Sequence, residues 1–187
     1  MRRTLPLLLI LSTGCPKHST ETGPAHPDLV CGEEATPTGA VPPDGLEAWC
    51  RKITAAGEWS REGTYILWHE NHQKAAQGQF QSDKRHGPWT FWFPTSQVEM
   101  QGTYKGGVED GFWTYFHPGD QRKAEGMMVD GEEHGPWVYW TETGDQRTEG
   151  AWQLGNKEGV WTVFDREDKP IAEQVFRSGR MISKREL

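Results

Sequence analysis

A fixed step of 24 residues governs this chain. Glycine stands at Gly63, Gly87, Gly111, Gly135 and Gly159. Two residues on is an aromatic column: Tyr65, Trp89, Trp113, Trp137, Trp161. A second follows at Trp68, Trp92, Phe116, Trp140, Phe164. A second glycine column runs Gly78, Gly102, Gly126, Gly150 and is broken by Gln174; Phe80, Tyr104, Met128, Trp152 and Phe176 come two residues later. A third, Gly107, Gly131, Gly155, Gly179, has Asp83 at its head. A step held without insertion is the signature of a repeat protein, in which each unit covers its apolar face only with its neighbours.

Physical reading of one unit gives a β-hairpin. From Trp89 to Phe93 aromatic residues alternate with Thr90 and Trp92, the period-two pattern of a strand. Pro94-Thr95-Ser96-Gln97 is a turn cluster, as are Pro118 to Gln121 and Glu142 to Asp145. Val98 to Tyr104 returns, and Lys105 to Asp110 links to the next unit. With residues 94–97 as the loop, Phe93 opposes Val98, Phe91 opposes Met100 and Trp89 opposes Gly102. The glycine then leaves room for the indole to lie across the backbone. On this reading each tryptophan covers the glycine of the hairpin it opens: Trp89 on Gly102, Trp113 on Gly126, Trp137 on Gly150. Parity puts Tyr104 on that face and Thr90, Gln101, Thr103 and Trp92 on the other. The expected fold is all-β: an elongated, single-layer antiparallel sheet of about five consecutive 24-residue hairpins. The Trp89 column reads as structural. The Trp92 column is either a second core or the candidate binding face.

The first 62 residues stand apart. Arg2 and Arg3 precede an apolar run, Leu5 to Leu11, too short for the about 20 residues that cross a bilayer. Ser12-Thr13-Gly14-Cys15 ends it, a layout that resembles a bacterial lipoprotein signal with Cys15 as the lipid attachment; an ordinary cleaved signal peptide is the alternative. Residues 1–14 are thus expected to be a leader and 15–44, rich in Pro, Thr, Gly and Ser, a flexible tether. Residues 45–62 are expected to be an N-terminal cap, with Leu46 to Trp49 as one helical turn or a cap, and 63–187 the array with its C-terminal cap. Lipidating Cys15 leaves Cys31 and Cys50, which can pair in an oxidising compartment. Closing that loop is worth roughly 3 kcal/mol on the chain-entropy account; two free thiols are the alternative.

Composition and spacing narrow the chemistry. His86 and His134 lie four strands apart, roughly 19 Å at about 4.8 Å per strand, and cannot share an ion whose ligands sit at about 2 Å. No Ser-His-Asp, Cys-His or phosphate-cradling motif is present, so neither enzyme activity, cofactor nor metal is expected. Without Arg2 and Arg3 the chain carries 18 basic against 27 acidic residues. With no polybasic stretch, anionic lipid and nucleic acid are disfavoured partners.

The Gly-x-Trp-x-x-Trp/Phe strand, the turn, the Gly-x-Tyr/Phe strand and the glycine link resemble MORN repeats, closest to their bacterial variant, from about Gly63 to Gly179. Asp83, Met128 and Gln174 depart from that pattern. The resemblance implies a twisted antiparallel sheet of successive hairpins serving as an assembly or interaction surface. The expected function is therefore a non-catalytic, lipid-anchored protein of the bacterial envelope, on the outer membrane, that presents a surface to a protein partner. Binding of cell-wall glycan or a small ligand by exposed aromatics, and an antitoxin or immunity role, are the alternatives.

Overall fold

The computed structural model describes residues 26–187. The leader, the candidate lipid attachment at Cys15 and the first part of the tether lie outside the described residues. The strands are β1 Thr36–Ala40, β2 Glu47–Ile53, β3 Trp59–Trp68, β4 Lys74–Gln81, β5 Lys84–Trp92, β6 Val98–Lys105, β7 Val108–Glu109, β8 Gly111–Phe116, β9 Arg122–Val129, β10 Glu132–Trp140, β11 Arg147–Gln153, β12 Asn156–Phe164, β13 Pro170–Arg177 and β14 Arg180–Glu186. They form one antiparallel 14-stranded sheet in sequence order, with β1 and β14 at its open edges. Only β7 departs from the path: it continues into β8 along the same side of β6.

Two kinds of turn build this order. At one side, two-residue links have left-handed backbone at both positions: Ser82-Asp83 (φ 50° and 62°), Gly106-Gly107, Asp130-Gly131, Leu154-Gly155 and Ser178-Gly179. That is the type I′ geometry whose twist matches a right-twisted hairpin. A side chain is penalised there except on Asp or Asn, so Asp83 substitutes for glycine without changing the turn. Each link is also tied to an earlier strand. The amides of Asp83, Gly107, Gly131, Gly155 and Gly179 donate to the carbonyls of Arg61, Arg85, Glu109, Glu133 and Lys157 at 2.9–3.1 Å. At the other side, Phe93 N donates to Gln97 O at 2.8 Å, as His69 does to Gln73, His117 to Gln121 and Asp165 to Lys169. Trp89 opposes Gly102 and Phe91 opposes Met100, as parity requires. A bulge after Phe91, however, puts Trp92 rather than Phe93 opposite Val98.

The first glycine column has a cause of its own. Gly63, Gly87, Gly111, Gly135 and Gly159 all have positive φ, between 68° and 97°. Around Gly135 the partner of Met127 is His134 and that of Gly126 is Trp137, so β10 carries two extra residues against β9. The same offset occurs between β4 and β5 at Gly87 and between β11 and β12 at Gly159. This is a β-bulge, which bends a strand and re-aims the side chain after it.

The N-terminal expectations change. Residues 26–44 are not a free tether: Thr36–Ala40 pairs with β2, and Leu29 is buried against Ala48, Cys50, Ile66 and Trp68. The 45–62 segment is strand β2 and the start of β3; Leu46 to Trp49 forms no helical turn. Cys31 and Cys50 are joined as a disulfide, Cα atoms 5.4 Å apart.

Two apolar clusters result. One follows the sheet face of Tyr65, Phe80, Trp89, Tyr104, Trp113, Met128, Trp137 and Trp161. The other sits on the opposite face at the N-terminal end, under Leu29. Met128, an aliphatic exception in an aromatic column, is 6% exposed and fills its place in the first cluster.

Candidate functional site

The glycine and tryptophan columns meet, but not as the sequence suggests. A Cβ built on Gly78 would stand 2.2 Å from the Trp89 ring, on Gly102 2.2 Å from Trp113, on Gly126 2.3 Å from Trp137, and on Gly150 2.1 Å from Trp161. Each indole therefore lies over the glycine of the preceding hairpin, not of the one it opens. Trp89 still faces Gly102 in register, but its ring leans to Gly78. The bulge at Gly87, and its counterparts, turns the ring that way. The indole N–H groups of Trp89, Trp113 and Trp137 then donate to the carbonyls of Gln79, Thr103 and Met127 at 3.0–3.2 Å. The contact is thus a staple between hairpins. Where no indole follows, no glycine is needed: Arg185 stands in the next tryptophan place, paired with Glu173, and Gln174 occupies the glycine place.

The rings touch in series along this face. Trp89 stacks on Phe91, Trp113 on Tyr115 and Trp137 on Tyr139; Tyr115 leans on Trp137 and Tyr139 on Trp161. Tyr115 and Tyr139, which follow their tryptophans by two, were not singled out by the sequence; alternation within the strand was the available signal. Burial pushes the phenols of Tyr65 and Tyr139 up to about 12, and that of Tyr115 up further in the same direction.

The opposite face carries the second aromatic column, and the five members have different surroundings. Trp68 is buried, 6% exposed, beneath Leu29 and with His26 edge-on at 5.3 Å. It is removed from the candidate binding face. Trp92, Phe116 and Trp140 are half-buried. Phe164 is also half-buried, with the Arg147 guanidinium 4.4 Å above its ring. Next to the N-terminal cover, a cavity of ≈ 400 Å³ opens between Asp28, Thr64, Gln77, Pro88, Thr90 and Trp92.

Loop histidines that sequence reasoning passed over hold this column in line. His69 Nε2–H donates to Trp92 O at 2.7 Å and His117 Nε2–H to Trp140 O at 2.9 Å. A carbonyl only accepts, so the proton is on Nε2 in both rings. Their signal was the 48-residue recurrence of His before Glu or Pro at the loop start.

Among the described residues no three His, Cys, Asp or Glu side chains gather as a metal-holding group. The two faces carry aromatic surface, and Glu109 and Glu133 flank the rings on one of them. No protein-family model matches the chain, and no curated protein matches it.

Proposed function

We propose that this chain is a non-catalytic interaction module of the bacterial envelope, built as five consecutive 24-residue hairpins of the MORN type. Support for the repeat reading comes from the recurrence, at that step, of the indole-on-glycine contact and of the turn-amide bond to the earlier strand. Export and lipid attachment at Cys15 are supported by the leader pattern and by the Cys31–Cys50 disulfide, which persists in oxidising compartments.

The surface offered to a protein partner is the stripe of Trp92, Phe116 and Trp140. One observation carries this reading. The chain's own segment around His26 to Leu29 lies on the first member of that column, Trp68, and leaves Trp92, Phe116 and Trp140 half-buried beyond it. A partner segment lying on Trp92 and beyond would extend the cover that Leu29 begins. Aromatic side chains dominate binding hot spots.

The test is capture from membrane extracts by the full-length chain and by the Trp92→Ala/Trp140→Ala variant, beside sedimentation with isolated cell-wall sacculi. A protein retained by the first and lost by the second supports the reading. Equal capture by both removes the stripe as the surface, and sedimentation with sacculi moves the assignment to glycan. In the same extracts Cys15→Ser should shift the chain out of the membrane fraction; unchanged fractionation would remove the lipid anchor.

A further inference from the structure

One position on the indole face changes sign along the array. It is occupied in turn by Arg61, Arg85, Glu109, Glu133 and Lys157, and its backbone is held alike each time, since every one of these carbonyls accepts the amide of a type I′ turn. Where the residue is basic, its charge rests on the rings of the same face. Arg85 Cζ lies 4.8 Å from the Trp89 ring and 5.3 Å from Phe91 and Tyr104. Lys157 Nζ lies 4.1 Å from Trp161, 5.1 Å from Phe176 and 5.7 Å from Trp152. Arg61 Cζ lies 4.8 Å from Phe80. Cations are attracted to ring faces, more strongly when partly desolvated.

At Glu109 and Glu133 the rings remain and the cation does not. Tyr115, Trp137, Tyr139 and Met128 line a cavity of ≈ 410 Å³ that both carboxylates border. Among the described residues no guanidinium or ammonium rests on Tyr115, Trp137 or Tyr139. Glu109 accepts from the Tyr104 hydroxyl at 3.2 Å; among the described residues no hydrogen bond or salt bridge engages the Glu133 carboxylate. Lys123 also borders the cavity.

We infer that this cavity between Glu109 and Glu133 binds a basic side chain, arginine or lysine, of a protein partner. Three features select that occupant. The rings favour an organic cation, and the two carboxylates attract a positive charge of the kind that rests on the rings at Arg85 and Lys157 and not here. Met128 and the ring faces offer apolar wall to an alkyl stem. A hard metal ion is a poorer fit, because it needs several converging ligand groups and only two carboxylates border the cavity. The inference rests on the interaction-module reading but uses the other face of the sheet from Trp92.

The test titrates the full-length protein, by nuclear magnetic resonance, with capped tripeptides that carry a central arginine, lysine or citrulline. Arginine and lysine peptides should bind saturably in the millimolar range, with citrulline about tenfold weaker because it lacks the charge. Glu109→Gln/Glu133→Gln should weaken the arginine peptide by about tenfold. Lys123→Gln should strengthen it by removing the competing charge. Glu133→Arg, which repeats the arrangement at Arg85, should abolish it while melting no lower than the wild type. Absence of saturable binding, equal binding of citrulline, or binding unchanged in the double glutamine variant would overturn the inference. Trp92→Ala/Trp140→Ala should leave the tripeptide titration unchanged, so a failure of the Trp92 stripe and a failure of this cavity are told apart.

Discussion

The indole of Trp113 lies over Gly102, a residue of the hairpin before its own: a Cβ at Gly102 would stand 2.2 Å from ring atom Cδ2. The same ring donates its N–H to Thr103 O at 3.2 Å. One side chain thus fills the space a glycine leaves and satisfies the neighbouring carbonyl. Because the two residues belong to successive hairpins, the contact makes the stability of one hairpin depend on the next.

The direction of this staple is testable by a double-mutant cycle. Gly126 is the register neighbour of both Trp113 and Trp137. Only the Trp137 ring occupies its Cβ position. Gly126→Ala should cost about 1–3 kcal/mol by overpacking. Combined with Trp137→Leu, part of that cost should vanish, giving a coupling of about 1–2 kcal/mol; combined with Trp113→Leu the costs should add within about 0.5 kcal/mol. Denaturant melts of the six proteins measure both. A larger coupling with Trp113 would restore the packing expected from sequence.

Members of the second aromatic column in different surroundings should respond differently. Trp68 is buried under the N-terminal segment, and Trp68→Ala should cost about 3–5 kcal/mol. Trp92 and Trp140 are half-buried, and alanine there should cost about 1 kcal/mol. Thermal melts compare them. Equal losses at all three would make the whole column core and leave the loops Pro94 to Gln97 and Pro118 to Gln121 as the surface.

Opening the Cys31–Cys50 disulfide should act locally. The bond spans 19 residues and sits beside Leu29, Ile66 and Trp68. Its loss, in Cys31→Ser/Cys50→Ser, should cost about 3 kcal/mol. Amide exchange should speed in β2 and β3 and change little in β10 to β12, since coupling passes only between neighbours. Uniform acceleration across the sheet would contradict this.

Alkaline pH should weaken the aromatic spine. Burial raises the Tyr139 phenol from 10.0 to about 12 in the folded chain. The folded state then holds the proton more tightly than the unfolded one. Its contribution is complete below pH 10 and is lost as pH rises through about 12. Tyr139→Phe should move the alkaline unfolding midpoint upward. At neutral pH it should cost about 1 kcal/mol, because the hydroxyl also accepts from Trp152 Nε1 at 3.0 Å. Stability and tyrosinate absorbance followed together across that range provide the check; an unchanged alkaline midpoint would exclude Tyr139 as a contributor.

What the sequence determined by itself is the order of things along a strand. Alternation in Trp89-Thr90-Phe91-Trp92 assigns side chains to faces, because successive Cβ atoms point to opposite sides. Turn residues such as Gly106-Gly107 and Asp130-Gly131 mark the links, because few residues accept a left-handed backbone. Hairpins, the all-β sheet and the opposition of Trp89 to Gly102 follow from those local rules. What happens between strands was decided only by tertiary structure. Gly126 faces a tryptophan on each side, and its spacing to either is fixed by the same step, so sequence cannot say which ring leans over it. The two-residue bulge at Gly135 decides, by turning Trp137 toward β9. Nor does the step distinguish Trp68 from Trp92. Their difference comes from a non-repeating segment, His26 to Leu29, folding back over one end of the face, a long-range contact that local patterning does not encode. The place of Glu109 and Glu133 among the rings is likewise a property of the packed sheet, since their meaning depends on where Arg85 and Lys157 rest in space.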